Sequence, residues 1–176
     1  MTHHEPSVLL RPMVEADLPY LAEPAGEFDD FGLPPRTQVH LTSFESDGGL
    51  TVEVGGECAG SVSWHWTSWG PGPLSRTVMI GIGLRESYRG RGIGTLAQQL
   101  LVDAVFRGTS VNRVEAHTDI ENHAEQRALE KVGFTQEGVV RGGQWRAGAY
   151  RDGYLYSILR AEWALRQAAT LAGWSP

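Results

Sequence analysis

The chain lacks most of the residues that would build something other than a small globular domain. It has one cysteine, Cys58, so no internal disulfide can form, and cytoplasmic residence is the expectation. Cys58 falls in an apolar strand-like run and reads as a buried, inert thiol. No apolar run approaches the ~18 residues of a membrane span. The opening Met-Thr-His-His-Glu-Pro has neither the basic nor the apolar region of a secretory signal. No His/Cys/Asp set has metal-ligand spacing, and His3-His4 is terminal, so no metal is expected. No Gly-x-Ser-x-Gly elbow is present to carry a nucleophile. Basic residues are short too, with Lys131 the sole lysine beside fourteen arginines and a net charge of −6. That balance disfavours nucleic acid as a partner. It suits solubility, and also the steering of a cationic amine. With 176 residues, 41% of them hydrophobic, the chain fits one domain with a core and is not disordered.

What is present is glycine in a pattern. Tyr88-Arg89-Gly90-Arg91-Gly92-Ile93-Gly94 follows a strand-like run, Arg76 to Leu84, and opens a helical one. Ile93, Leu96, Ala97, Leu100, Leu101, Ala104 and Val105 form an apolar stripe at helical period. Thr95, Gln98, Gln99, Asp103 and Arg107 take the other face, and Gly108 is a plausible stop. Glycines at every second position let a bulky anion approach the backbone. The helix start adds unpaired N–H groups and the positive end of its dipole, and the arginines add fixed charge. The segment reads as a pyrophosphate cradle; a tight strand-to-helix turn with exposed arginines is the plain alternative. No Gly-Lys-Ser/Thr follows, so it is not a nucleotide-triphosphate loop. The spacing and the missing acid on a second strand argue against a dinucleotide fold.

A second segment, Asn122 to Phe134, reads as a helix with both ends marked. Asn122 is a favoured N-cap with Glu125 three residues on, as in a capping box. Gly133 suits the left-handed position after the helix, which lets Phe134 touch Leu129.

These two segments carry a resemblance. Arg89-x-x-Gly92-x-Gly94 after a strand resembles the coenzyme A loop of the GNAT N-acetyltransferases. Asn122 to Phe134, with the Leu-Glu-Lys-x-Gly-Phe ending and Glu137-Gly138, resembles the branch that acetylates ribosomal-protein N-termini (RimJ/RimL-type). The resemblance spans about Leu9 to Leu159 and is strongest from Ile80 to Gly138. It implies an α+β fold in which a mixed, mainly antiparallel sheet with splayed strands is flanked by helices. It also implies transfer of acetyl from acetyl-CoA to a primary amine of a small molecule, antibiotic or protein N-terminus, by direct attack. A homodimer is compatible with it. On this basis Ile82 and Leu84 offer backbone contacts to the pantetheine arm. Arg89, Gly90, Arg91, Gly92, Ile93, Gly94 and Thr95 hold the diphosphate, and Asn122 either contacts the cofactor, only caps its helix, or does both. Many relatives carry a serine at position 125, proposed to protonate the leaving thiolate. Here a surface Glu125 would be ionised at neutral pH, so that role is not carried over. For the base, Glu115, His117 and His65 are the candidates, with Glu27, Asp29 and Asp30 in a substrate-covering loop behind them. His65 reads first as a structural histidine, and Glu115 equally as a solvated or salt-bridged carboxylate. A CoA-binding protein without turnover, or a relative using another acyl or aminoacyl donor, remains open.

The remaining elements follow from periodicity and breakers. Strands are expected at 8–11, 50–54, 58–66, 76–84, 113–118, 134–141 and 150–159. Helices are expected at 15–23, with Leu18, Leu21 and Ala22 inward, and at 37–44. An appended helix is expected at 161–172, after a core of about 8–160 in one domain spanning 1–176. Gly142-Gly143 and Gly148 should interrupt the last hairpin. Trp64, Trp66, Trp69 and Trp145 suit either a pocket or the core.

Overall fold

A computed structural model describes residues 7–22 and 26–173. His3, His4 and the rest of the opening hexapeptide, together with Glu23 at the end of the first expected helix, lie outside the described residues. The elements in order are β1 (Val8–Arg11), a 3₁₀ turn at Glu15–Asp17, α1 (Leu18–Leu21), β2 (Gly48–Val54) and β3 (Glu57–Ser68). There follow β4 (Arg76–Leu84), α2 (Ile93–Gly108), β5 (Arg113–Asp119), α3 (His123–Val132), β6 (Thr135–Arg146), β7 (Ala149–Leu159) and α4 (Arg160–Leu171).

The strands form one seven-stranded sheet in the order β1-β2-β3-β4-β5-β7-β6. All neighbours are antiparallel except β4 and β5, which run parallel. That parallel pair is short: Val78, Met79 and Ile80 face Val114, Glu115 and Ala116, and the pairing stops there. Beyond it β4 stays bonded to β3 as far as Leu84 opposite Gly60, and β5 to β7 as far as Asp119 opposite Gly153. The sheet is therefore forked, which is the expected splay.

Alternation along the strands divides the sheet into two unlike faces. Val62, Trp64, Val78, Ile80, Val114, Ala116, Tyr156 and Ile158 form one face, all buried in a single core. Ile93, Ala97, Leu101 and Val105 of α2 and Leu129 and Val132 of α3 pack into the same core, and Trp163 of α4 lies against Phe106. The opposite face is polar, with Ser63, His65, Glu115, His117 and Ser157 along β3, β5 and β7. The 3₁₀ turn lies on that face over β2, tied by the buried Asp17, which accepts from Thr51 Oγ1 at 2.8 Å and from Arg11.

Several expectations shift. The 37–44 segment is not helical, because its carbonyls serve the sheet. Leu41 O accepts from Gly49 N at 3.0 Å, and Phe44 O accepts from Trp66 Nε1 at 3.0 Å. The Phe44 ring sits on Trp64. The α2 stripe is turned: Leu96 and Leu100 are 38% exposed, whereas Gln98 is 1% exposed. The helix packs on two sides, against the sheet and against α3, so its buried arc rotates toward Gln98, Val102 and Phe106. Ala22 is exposed and α1 is a single turn. Gly142-Gly143 do not end β6; they form a bulge between Val140 and Gln144, and the strand runs on to Arg146. Trp64 is core, while Trp69 and Trp145 are 67% and 50% exposed.

Candidate functional site

The cradle sits where β4 runs out. Gly92 is the N-cap of α2 with φ 77°, and no side chain caps it. An L side chain in that left-handed position costs ~1–2 kcal/mol, so glycine here is a backbone requirement. Leu96 N–H is bonded to Gly92 O at 3.2 Å; the amides ahead of it have no intrahelical acceptor by construction. A Cβ at Gly90 or Gly92 would meet nothing within 4 Å, so the space before these amides is open. Ile93 is wholly buried, and its side chain belongs to the core. Thr95 is half-buried on the first turn. Ile82 and Leu84 lie under that turn, their Cδ1 atoms 3.8 and 3.5 Å from where a Gly94 methyl would stand. The backbone of β4 from Gly81 to Leu84 borders the fork.

The two arginines differ. Arg91 is exposed, with its guanidinium 5.7 Å from the Tyr88 ring centroid. Tyr88 itself is buried and donates to Glu57 at 2.5 Å. Arg89 donates to Leu84 O at 2.8 Å and to Asp29 at 3.2 Å, bringing the acidic loop onto the cradle. Open glycines, an uncapped helix end and two guanidiniums are a donor set suited to a diphosphate.

Asn122 caps α3: its Oδ1 accepts from Glu125 N at 3.2 Å. The expected capping box is only half formed, because Asn122 N donates to Asp119 O at 3.0 Å. The Glu125 carboxylate turns instead to Gln98 Nε2, at 3.4 Å. Glu125 is half-buried rather than a surface residue. Desolvation, seconded by the charge of Asp29, pushes its carboxyl up to about 7. The expectation of a fully ionised Glu125 at neutral pH is therefore corrected. Gly133, at φ 108°, ends the helix as expected, with Phe134 N donating to Leu129 O at 3.0 Å.

The candidate bases share the polar face. His65, Met79, Glu115 and Ser157 form one row across four strands. His65 is exposed. Glu115 is 1% exposed, and its Oε1 accepts from Trp69 Nε1 and from Arg113 Nε, the latter at 2.5 Å. Arg113 is shared with Glu137 at 2.5 and 2.6 Å. Glu115 thus carries a structural ion pair, with both of these donors on one oxygen. His117 is the first β5 residue beyond the last β4–β5 pair, at the vertex of the fork. Burial lowers its pKa, opposed by Glu115 and aided by His65, so its imidazole is neutral at pH 7. Glu27, Asp29 and Asp30 lie in the loop that meets Arg89, and Arg146 Nη1 holds the backbone of that loop at Glu27 O, 2.7 Å away.

Sequence reading missed Gln98, placed on a polar face, and Arg146, whose charge gave no sign of its buried partner Asp119. A recess of about 390 Å³ lined by Trp69, Leu74, Arg76, Thr77, Arg113 and Glu137 lies at the start of β4 and β5. It is at the far end of those strands from the cradle. No helix among the described residues is long and apolar enough to cross a membrane.

Residues 7–135 match the model of the acetyltransferase (GNAT) domain. The chain is 30% identical over 108 residues to YdaF of Bacillus subtilis, covering 61% of this chain and 57% of that protein. It is 29% identical over 85 residues to the ribosomal-protein-serine acetyltransferase of Escherichia coli, 48% of each. It therefore spans about half the length of the curated relatives it matches. Its fold is similar to that of Mycobacterium smegmatis RimJ, solved in complex with CoA-disulfide. The TM-score is 0.72 at 23% identity, over 96% of this chain and 91% of that one.

Proposed function

The chain belongs to the GNAT acetyltransferase domain family, and from that premise we propose that it moves an acetyl group from acetyl-CoA to a primary amine. The observation that carries this reading is the uncapped start of α2, with left-handed Gly92, set at the end of β4 where β4 and β5 part. Amides of residues 92–95, with Arg89 and Arg91, would hold the diphosphate. The free edge of β4 at Ile82 and Leu84 would hold the pantetheine arm, and Asn122 would face it from α3. Residues 8–160 act as one catalytic domain, with α4 appended.

The thioester supplies an activated acetyl group, so the protein has only to align, deprotonate and polarise. His117, neutral and at the vertex, takes the proton from the incoming amine, directly or through a water. His65, on the same face, is close enough to depress His117 electrostatically and helps keep it neutral. Glu115 positions: its carboxylate holds Arg113 and Trp69 from the row that it shares with His65. The acceptor is an amine bearing further positive charge, or a protein N-terminus, approaching past Asp29 and Asp30; the net charge of −6 favours either.

Mass spectrometry of the purified protein, followed by a thiol-release assay on amines and serine-starting peptides with acetyl-CoA, tests this. Release of CoA thiol with a 42-dalton gain on one amine is the expected result (the mass of an acetyl replacing a proton, about 42). Bound acetyl-CoA with no transfer to any amine would reverse the enzymatic reading.

A further inference from the structure

Arg36 is a half-buried cation that no acid among the described residues holds. Pro34 and Pro35 precede it and stiffen the backbone that delivers it. Among the described residues its only hydrogen-bond partner is the sulfur of Met13, at 3.7 Å, and Met13 is 5% exposed. Sulfur is a weak acceptor. Burial disfavours the charged guanidinium, yet arginine does not shed its proton to escape. Other half-buried arginines are satisfied: Arg11 and Arg113 each hold two carboxylates, and Arg160 holds three carbonyls. Buried Asp17 cannot serve Arg36, because Arg11, Thr51 Oγ1 and Val14 N already donate to it.

The segment lies on the polar face. Burial, then the charge of Arg36, lowers the His40 pKa. His40 rests on β2, its Nδ1 2.8 Å from where a Gly49 methyl would stand. Gly49 faces Ser63, and Ser63 faces Gly81. Gly81 follows Ile80, the last β4 residue paired to β5, and His117 follows its partner Ala116. The row from Gly49 therefore ends, across the fork, at His117. Up to the fork it carries no side chain larger than that of serine. From β2 to β5 is three strand spacings, roughly 14 Å, which about four extended residues span.

We propose that Arg36 determines acceptor specificity: it binds a carboxylate that the acceptor carries, and the acceptor is a protein N-terminus with Asp or Glu near its fourth residue. This rests on the acetyl-CoA reading above and selects among the amines that reading allows. A guanidinium fork takes a carboxylate through two parallel hydrogen bonds. A peptide brings that anion at a distance from its amine, and its chain passes over the low row between them. A polyamine would instead bring a second like charge to Arg36, which costs binding.

Acetyl transfer to short serine-starting peptides tests this, with Glu, Gln or Lys at the third, fourth or fifth residue. Wild type should prefer the best Glu peptide to its Gln twin by about tenfold or more in kcat/KM, with Lys poorest. Arg36→Ala should bring Glu and Gln within about twofold, through loss on the Glu peptide, and leave KM for acetyl-CoA unchanged. Arg36→Lys should keep part of the preference, having the charge without the fork. Equal transfer to all peptides by wild type, or a preference that persists in Arg36→Ala, would overturn the inference and leave the acetyl-CoA reading standing. No transfer to any amine would overturn both. Without ligand, Arg36→Met should raise the urea midpoint, since it removes a desolvated charge and breaks no ion pair. A lowered midpoint would make Arg36 a structural residue and would equally overturn the inference.

Discussion

Arg146, the last residue of β6, donates from Nη2 to Asp119, the last residue of β5, and each side chain is 5% exposed. The same guanidinium lies 5.0 Å from the Phe28 ring centroid, and the next residue, Ala147, donates its N–H to Asp30 O at 2.8 Å. One buried pair therefore fixes the fork, the hairpin tip and the acidic loop together.

Breaking that pair from one side leaves a charge buried alone. Arg146→Ala should destabilise the protein by about 3–5 kcal/mol, read as a lower urea midpoint. A variant with both Arg146→Met and Asp119→Leu should recover much of the loss. Equal stability of wild type and Arg146→Ala would show that the pair contributes nothing.

The cradle arginines should matter for the diphosphate alone. Arg89→Ala with Arg91→Ala should weaken CoA by roughly 10- to 100-fold, since hydrogen bonds to charged groups contribute about 1.5–3 kcal/mol. Pantetheine, lacking the diphosphate, should bind both proteins alike in calorimetry. Parallel losses for the two ligands would contradict the assignment.

Gly92→Ala tests the backbone rather than the charge. Its Cβ would meet no neighbour, yet φ is 77°. The expected loss of stability is about 1–2 kcal/mol without a clash. A crystal structure of the variant should show the start of α2 displaced, and CoA should bind more weakly. Unaltered stability would mean that the left-handed cap is not needed.

His117→Gln should lower kcat about 100-fold and leave KM for acetyl-CoA within a few-fold. Because burial depresses the imidazole, the acid limb of the wild-type kcat profile should fall below pH ~6.5. A limb at or above that value, or its persistence in the variant, would point to another base.

The Asp17 carboxyl is held down to about 2, mainly by hydrogen bonds from Arg11 and despite desolvation. A depressed carboxyl adds stability above its unfolded value, lost as pH falls through the folded one. Wild type should thus lose stability between about pH 4 and 2, and Asp17→Asn should show a shallower loss in urea melts across that window. Identical slopes would dismiss the contribution.

The fold was legible wherever a local rule decides the backbone. Gly92 and Gly133 mark helix ends by conformations that few other residues adopt, and Arg76–Leu84 reads as a strand from its residues alone. Of the proposed site, the glycine turn into α2 and the Asn122 cap of α3 were legible from spacing, and both form as turn and cap. What failed depends on partners distant in sequence. The 37–44 segment was expected as a helix, but its residues are mostly weak helix formers and its carbonyls belong to β2 and Trp66. Gln98 is polar yet buried, because α3 covers a second side of α2. Glu125 reads as a cap residue, and only the arrival of Gln98 from another helix turns its carboxyl inward.

The fork has a consequence for solubility as well as for chemistry. Unpaired strand edges at the rim of a sheet invite other chains to add on. Here the unpaired edge of β4 lies mid-sheet, with β3 on one side and β5 on the other. It faces a strand of its own sheet, so this row of peptide groups, unlike the outer edges of β1 and β6, is not presented to a second sheet.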